Sequence, residues 1–174
     1  DGVWFHGYFV DKKSPTCCKW GRANGWVAVA IAEVLSILPK DHPKHGKVLE
    51  ICKKQIDGLC KYQSASGLWH QVIDHPELTW GTETSCSAQF AYALARGINK
   101  GWLDASYTPA VEKALKGLKP QINDVGGINK VSRFSSTSDW IGCGHSCYYI
   151  GSIFIKAIYS SIKVFTQLHF KAKI

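Results

Sequence analysis

At 174 residues the chain has the size of one domain, and folding at that length hides roughly 70% of the surface an unfolded chain exposes, so a true core is within reach. The 45% hydrophobic content, with seven Trp, seven Tyr and seven Phe, excludes an intrinsically disordered chain. The net charge of +8 admits nucleic acid, an anionic membrane surface or an acidic polysaccharide as partner; the lysines are scattered over helix-like stretches with no zinc finger or aromatic RNA-binding motif beside them, which argues against nucleic acid.

In chain order, Gly2-Val3-Trp4-Phe5-His6 opens the sequence and is echoed 65 residues on by Gly67-Leu68-Trp69-His70. The chain starts without Met and contains none, which favours a fragment or a processed chain over a complete translation product. After each echo comes a turn-rich stretch and then a helix of small apolar residues, the first over Asn24 to Leu35 and the second over Ser85 to Ala95. Trp26 and Phe90 fall 64 residues apart in these two helices, nearly the same register. Asp41-His42-Pro43 opens an amphipathic helix carrying Val48, Leu49, Cys52, Ile56, Leu59 and Cys60 at helical spacing, and Thr108-Pro109 opens another with Val111, Ala114, Leu115 and Leu118, ending by Pro120. A third echo begins at Gly126-Gly127-Ile128-Asn129. Roughly 60 residues per unit gives about three units. The fold class predicted is all-α: inner small-residue helices alternating with outer amphipathic ones, as hairpins that curve into a solenoid or close into a toroid. β-structure is confined to short turns near the Gly-x-Trp segments.

Beyond Val131 the pattern changes. Ser135-Ser136-Thr137-Ser138 reads as a polar loop, and Cys147 to Phe170 as an apolar helix interrupted by Lys156 and Lys163, which predicts a docked helix and not a membrane span. Residues 1–131 and 132–174 are therefore treated as two segments.

Chemistry concentrates in Trp20-Gly21-Arg22-Ala23-Asn24-Gly25-Trp26, with His6 upstream. Indole faces cover the C–H surface of a sugar ring, and a guanidinium forks a carboxylate, so the set suits a sugar acid. The plainer alternative makes Trp20 and Trp26 core packing, Arg22 one half of an ion pair, and Asn24 a helix N-cap. Cys143-Gly144-His145-Ser146-Cys147 lacks a fourth ligand, so no metal is predicted. Cys17 and Cys18 read as free thiols, and the seven cysteines leave the compartment open. Asp74, His75, Glu77 and Glu83 are acid/base candidates by type, but Glu83 before Thr84-Ser85 is better read as a hydrogen-bonding group at a helix entry.

The Trp20 to Trp26 motif, followed by Leu38-Pro39-Lys40-Asp41-His42-Pro43, Tyr62-Gln63, Gly67-Leu68-Trp69-His70-Gln71-Val72, Glu83-Thr84-Ser85-Cys86-Ser87-Ala88 and Phe90-Ala91-Tyr92-Ala93-Leu94-Ala95-Arg96-Gly97, resembles glycoside hydrolase family 105. These are the unsaturated rhamnogalacturonyl hydrolases, related to the unsaturated glucuronyl hydrolases of family 88. The resemblance implies a partial (α/α)6 toroid of about three helical hairpins, with residues 1–131 forming the C-terminal half of the domain and 132–174 a divergent segment with an apolar helix. It also implies, as substrate and partner, an oligosaccharide carrying a 4,5-unsaturated uronic acid at its non-reducing end, with no metal or organic cofactor. In that family an Asp protonates the vinyl ether and activates the water that hydrates it. None of Asp1, Asp11, Asp41, Asp57, Asp74, Asp104, Asp124 or Asp139 lies in a matching motif, so no catalytic residue is assigned and the chain is expected to be inactive alone. By position His6, Trp20, Arg22 and Trp26 match substrate-pocket residues: hydrogen bonding, ring contact and carboxylate recognition. The rival expectation is a non-catalytic carbohydrate-binding or interaction module on the same scaffold.

Overall fold

The computed structural model describes residues 1–79, 81–124 and 127–131, and its framework is two helical hairpins. The first pairs α1 (Gly21–Ile37) with α2 (His45–Lys61); the second pairs α3 (Thr84–Asn99) with α4 (Thr108–Leu118). α1 and α3 pack side by side as an inner layer, each backed by its own outer helix. Contacts between the inner helices rise together along both, from Gly21 with Cys86 and Gly25 with Gln89 to Glu33 with Tyr92 and Ser36 with Arg96, so the two run parallel.

The sequence dictates this layering. Inner helices must be packed on more than one side, and Ala28, Ala32, Ala88, Ala91 and Ala95 are small enough to allow it; all are buried. Outer helices need only one apolar stripe. Cys52, Ile56 and Leu59 supply it in α2 while Lys47, Lys53, Lys54 and Lys61 stay exposed. In α4 the stripe is Val111, Ala114 and Leu118, and Pro109 sits in the first turn, where its missing N–H costs nothing. Trp69 and Phe90 meet edge to face at 5.3 Å between the hairpins, within the core.

Among the described residues β-structure amounts to two short ribbons, β1 (Tyr8–Phe9) with β2 (Ser14–Pro15) and β3 (Trp69–His70) with β4 (Thr82–Glu83), and two isolated bridges, Trp20 with Val72 and Ile122 with Ile128. Both ribbons follow Gly-x-Trp segments, as predicted. Gly2 and Gly67 have φ of +95° and +87°, and a Cβ on either would overlap a carbonyl of the outer helix, that of Lys54 or of Lys113. One turn further along, Gly58 and Gly117 likewise give room to the Asp1 and Ser66 carbonyls. The same seat thus occurs twice. A third Gly-type segment starts the same way: the Ser64 N–H to Leu68 O bond (3.0 Å) recurs as Asn123 N–H to Gly127 O (3.0 Å). Each inner helix also has its first N–H taken by the unit that follows, Gly21 by the Gln71 carbonyl (2.7 Å) and Thr84 by that of Lys130 (2.9 Å). The third hairpin, the polar loop and the apolar helix of 132–174 lie outside the described residues.

Two sequence expectations need correction. Asn24 is not an N-cap: Trp20 holds that position without a side-chain cap bond, and Asn24 is buried inside α1. Its amide accepts from the Trp4 N–H (2.8 Å) and donates to the carbonyls of Trp4 (2.9 Å) and Trp20 (3.0 Å). Ser87 does the parallel work in α3, accepting the Trp69 N–H at 2.8 Å. Asn24 with Ser87, and Gly21 with Thr84, fix the structural register at 63 residues, so Trp26 corresponds to Gln89 and Val27 to Phe90. The aromatic-to-aromatic match of Trp26 with Phe90 is one residue off. Glu83 caps α3 as expected, accepting from the Cys86 N–H at 2.7 Å and from Ser85 Oγ at 2.7 Å. Replacing Asn24 by Ala strands the Trp4 N–H and frees the N-terminal segment; a loss of about 1–3 kcal/mol is expected in urea titrations. Among the described residues no helix is long and apolar enough to cross a membrane.

Candidate functional site

Because α1 and α3 are parallel, their N-termini lie at one end of the inner layer, that of α3 already capped by the Glu83 carboxylate. The candidate residues gather around the start of α1. Trp20 occupies its N-cap position and is 5% exposed. The His6 ring lies 5.9 Å from the Trp20 ring, and the His6 N–H donates to the Cys18 carbonyl at 3.2 Å. The Arg22 guanidinium sits 5.9 Å from the Trp20 ring centroid. Burial and then the Arg22 charge hold His6 below the usual imidazole range, which favours the neutral ring. Trp26 is one turn beyond Arg22 on the same helix face and is 56% exposed. The structure therefore brings His6, Trp20 and Arg22 into one cluster, with the more exposed Trp26 beside it.

Four side-chain polar atoms of the described residues are buried with no hydrogen-bond partner: His6 Nδ1, Trp20 Nε1, His70 Nδ1 and Gln89 Oε1. All four residues flank the first two turns of α1. His6 touches Trp20; the His70 backbone lies against Gly21; the Gln89 side chain fills the space a Cβ on Gly25 would need. Buried polar groups are nearly always satisfied, so their concentration here marks a place prepared for something polar. His70 and Gln89 were missed in the sequence. The signal for Gln89 was available only in the 63-residue register, where it takes the place of Trp26.

Acids near this end are already engaged. Glu83 caps α3, Asp74 accepts the Lys19 N–H at 3.0 Å, and Asp1 accepts from the Lys19 ammonium and from the Tyr62 hydroxyl. His75 and Glu77 form an exposed pair at 3.0 Å, away from the cluster. The Cys86 thiol is pushed well up, chiefly by burial and next by the Glu83 carboxylate, with Arg22 opposing. Among the described residues no three His, Cys, Asp or Glu side chains gather as a metal centre requires, and Cys143, His145 and Cys147 lie outside them. The cluster brings a guanidinium, aromatic rings and hydrogen-bonding atoms together at the start of α1.

A pocket of ≈270 Å³ lies elsewhere, between the N-terminal segment and α2, lined by Asp1, Gly2, Val3, Trp4, Glu50, Ile51 and Lys54. The repeat explains it. In the second unit, the corresponding space receives the end of α2: Trp69 Nε1 donates to the Leu59 carbonyl (2.7 Å) and Gln63 Nε2 to that of Ala110 (2.9 Å). In the first unit the pocket lies beside Trp4 at 47% and Phe5 at 48% exposure.

Comparison with known proteins agrees with this architecture. The sequence model described as Glycosyl Hydrolase Family 88 matches residues 1–160, and the chain belongs to that family. The "Unsaturated 3S-rhamnoglycuronyl hydrolase" of Alteromonas sp. (strain LOR) is 32% identical over 121 residues, 69% of this chain and 29% of that protein. The "Unsaturated rhamnogalacturonyl hydrolase YesR" of Bacillus subtilis (strain 168) is 34% identical over 113 residues, 65% of this chain and 30% of that protein. The chain therefore spans about a third of the length of these relatives. A crystal structure of a possible GH105 family member from Salmonella enterica serovar Paratyphi A superposes with a TM-score of 0.82 at 24% identity, covering 96% of this chain and 45% of that one. The fold is that of an all-α, partial α/α toroid.

Proposed function

We propose that this chain is the uronate-recognition part of an unsaturated uronyl glycosidase, acting on lyase-generated, rhamnogalacturonan-like oligosaccharides that end in a 4,5-unsaturated uronic acid. The carrying observation is the ring of unpartnered buried atoms on His6, Trp20, His70 and Gln89 around a helix start that also bears Arg22. Arg22 takes the uronate carboxylate, supported by the N-terminus of α1. In this reading His6 and Trp20, whose polar atoms are buried, lie beneath Arg22, and the exposed Trp26 indole is suited to cover the sugar ring.

Residues 1–131 act in this reading as the C-terminal half of the catalytic domain. In this reading the acid that protonates the vinyl ether is supplied from outside this set, since no Asp of the chain lies in the motif that carries it in the family. Names of the relatives support the substrate class: two curated matches are unsaturated rhamnoglycuronyl and rhamnogalacturonyl hydrolases.

The test uses unsaturated galacturonyl-rhamnose. The 174-residue chain is expected to bind it, measured by titration calorimetry, without bleaching the ultraviolet absorbance of its double bond. Arg22→Ala is expected to weaken binding by about 1.5–3 kcal/mol, roughly ten- to hundredfold. Equal affinity in that variant would remove Arg22 from the carboxylate site, and turnover by the unmodified chain would show that the acid lies within it.

A further inference from the structure

Cys17 and Cys18 precede Trp20 in the short tether between β2 and α1. Side chains of neighbouring residues in an extended strand point to opposite faces, yet here the chain bends at both residues and their Sγ atoms lie 2.8 Å apart. Cys17 is exposed, whereas Cys18 is buried against Trp20 and Val72. Both thiols are free. The same tether holds the candidate site together: the Cys18 carbonyl accepts the His6 N–H at 3.2 Å, the Lys19 carbonyl accepts the Ile73 N–H at 2.9 Å, and Trp20 follows directly.

We propose that Cys17 and Cys18 form a vicinal dithiol modification site, which closes to a disulfide by exchange with a low-molecular-weight disulfide and in closing displaces His6 and Trp20. The solvent-facing Cys17 thiolate attacks one sulfur of glutathione disulfide, forming a mixed disulfide and releasing one glutathione thiolate. Cys18 then loses its proton to solvent and attacks Cys17 Sγ, making the Cys17–Cys18 bond and expelling the second glutathione thiolate. Two electrons pass from the dithiol to the reagent disulfide, and the two thiol protons end on glutathione or water. Burial, with the adjacent Cys17 thiol, pushes the Cys18 thiol up to about 12, so entry through the exposed sulfur is the open route.

The coupling to the site follows from geometry. Adjacent Cα atoms are about 3.8 Å apart across a trans peptide, against roughly 4.4–6.8 Å across an ordinary disulfide. The closed ring is therefore strained, and the strain falls on the Cys17–Cys18 peptide and the Cys18 backbone next to it, whose carbonyl binds His6. Loss of sugar affinity on closure rests on the uronate reading above; the closure and the movement of His6 and Trp20 do not.

The chain is incubated with glutathione disulfide, quenched with acid, and the tryptic peptide Ser14–Lys19, which holds both cysteines, is weighed. The expected product has lost two hydrogens, carries no glutathione, and is restored by dithiothreitol. Cys18→Ser is expected to stop with one glutathione on Cys17, and Cys17→Ser to stay unmodified at Cys18. In nitrogen-15 spectra, closure is expected to shift the Trp20 indole and His6 ring signals, while the Cys18→Ser adduct leaves them near the reduced positions. Closure is also expected to lower affinity for unsaturated galacturonyl-rhamnose at least tenfold. A peptide that stays reduced or keeps glutathione in the unmodified chain overturns the proposal, as does closure that leaves both ring signals in place. Failure of the reduced chain to bind the disaccharide counts against the uronate reading alone.

Discussion

Trp69→Ala is expected to destabilise the chain by about 3–5 kcal/mol, whereas Trp4→Ala, at the equivalent place in the preceding unit, costs less than about 1 kcal/mol. Trp69 is fully buried, meets Phe90 edge to face, and donates its indole N–H to the Leu59 carbonyl at the end of the preceding outer helix. Truncation leaves a cavity between the hairpins and strands that carbonyl. Trp4 keeps the same backbone seat through Asn24 but has 47% of its surface open, so there is little packing to lose. Urea titrations of the two variants side by side decide the matter. Equal losses would mean that the two tryptophans are not differently housed.

The second large effect is expected at Gly67. Gly67→Ala should cost at least about 2 kcal/mol, because φ of +87° strains any L side chain and the new methyl would overlap the Lys113 carbonyl of α4. Neither partner can give way: the carbonyl belongs to a helix, and Gly117 one turn on is itself pressed against Ser66. Gly46→Ala is the matched control. It lies on the exposed start of α2 with nothing within 4 Å of a new Cβ, and should be neutral or stabilising by up to about 1 kcal/mol. Thermal melts of both variants test the contrast, and a harmless Gly67→Ala would show that the Gly-x-Trp segment is not seated on α4.

Much of this was legible without coordinates. The 3.6-residue spacing of Cys52, Ile56 and Leu59 identifies α2 because its one-sided packing leaves a clean stripe. The repeat of Gly2-Val3-Trp4 in Gly67-Leu68-Trp69 was readable because both glycines meet the same steric demand. Register was harder. The stretch from Trp4 to the start of α1 is two residues longer than that from Trp69 to the start of α3, and matching Trp26 to Phe90 absorbs only part of the difference. Asn24 looked like a cap because Asn commonly caps; only the chain path shows that its amide has Trp4 to hold. His6, Trp20 and Arg22 could be nominated by side-chain chemistry, and their proximity is a product of the fold. Gln89 and His70 carry no local pattern, since their distinction is an absence of partners that arises only when helices close around them.

The bonds that join Gly21 to Gln71 and Lys19 to Ile73 make the start of α1 a seam between consecutive units. During synthesis the first hairpin can coil as soon as it leaves the ribosome, but its opening turn is secured only after the chain has grown past Ile73. Order in such an array matures in sequence, the mouth of one unit being finished by its successor. A lesion in the second unit would for that reason loosen the opening turn of the first helix while leaving the rest of that helix intact.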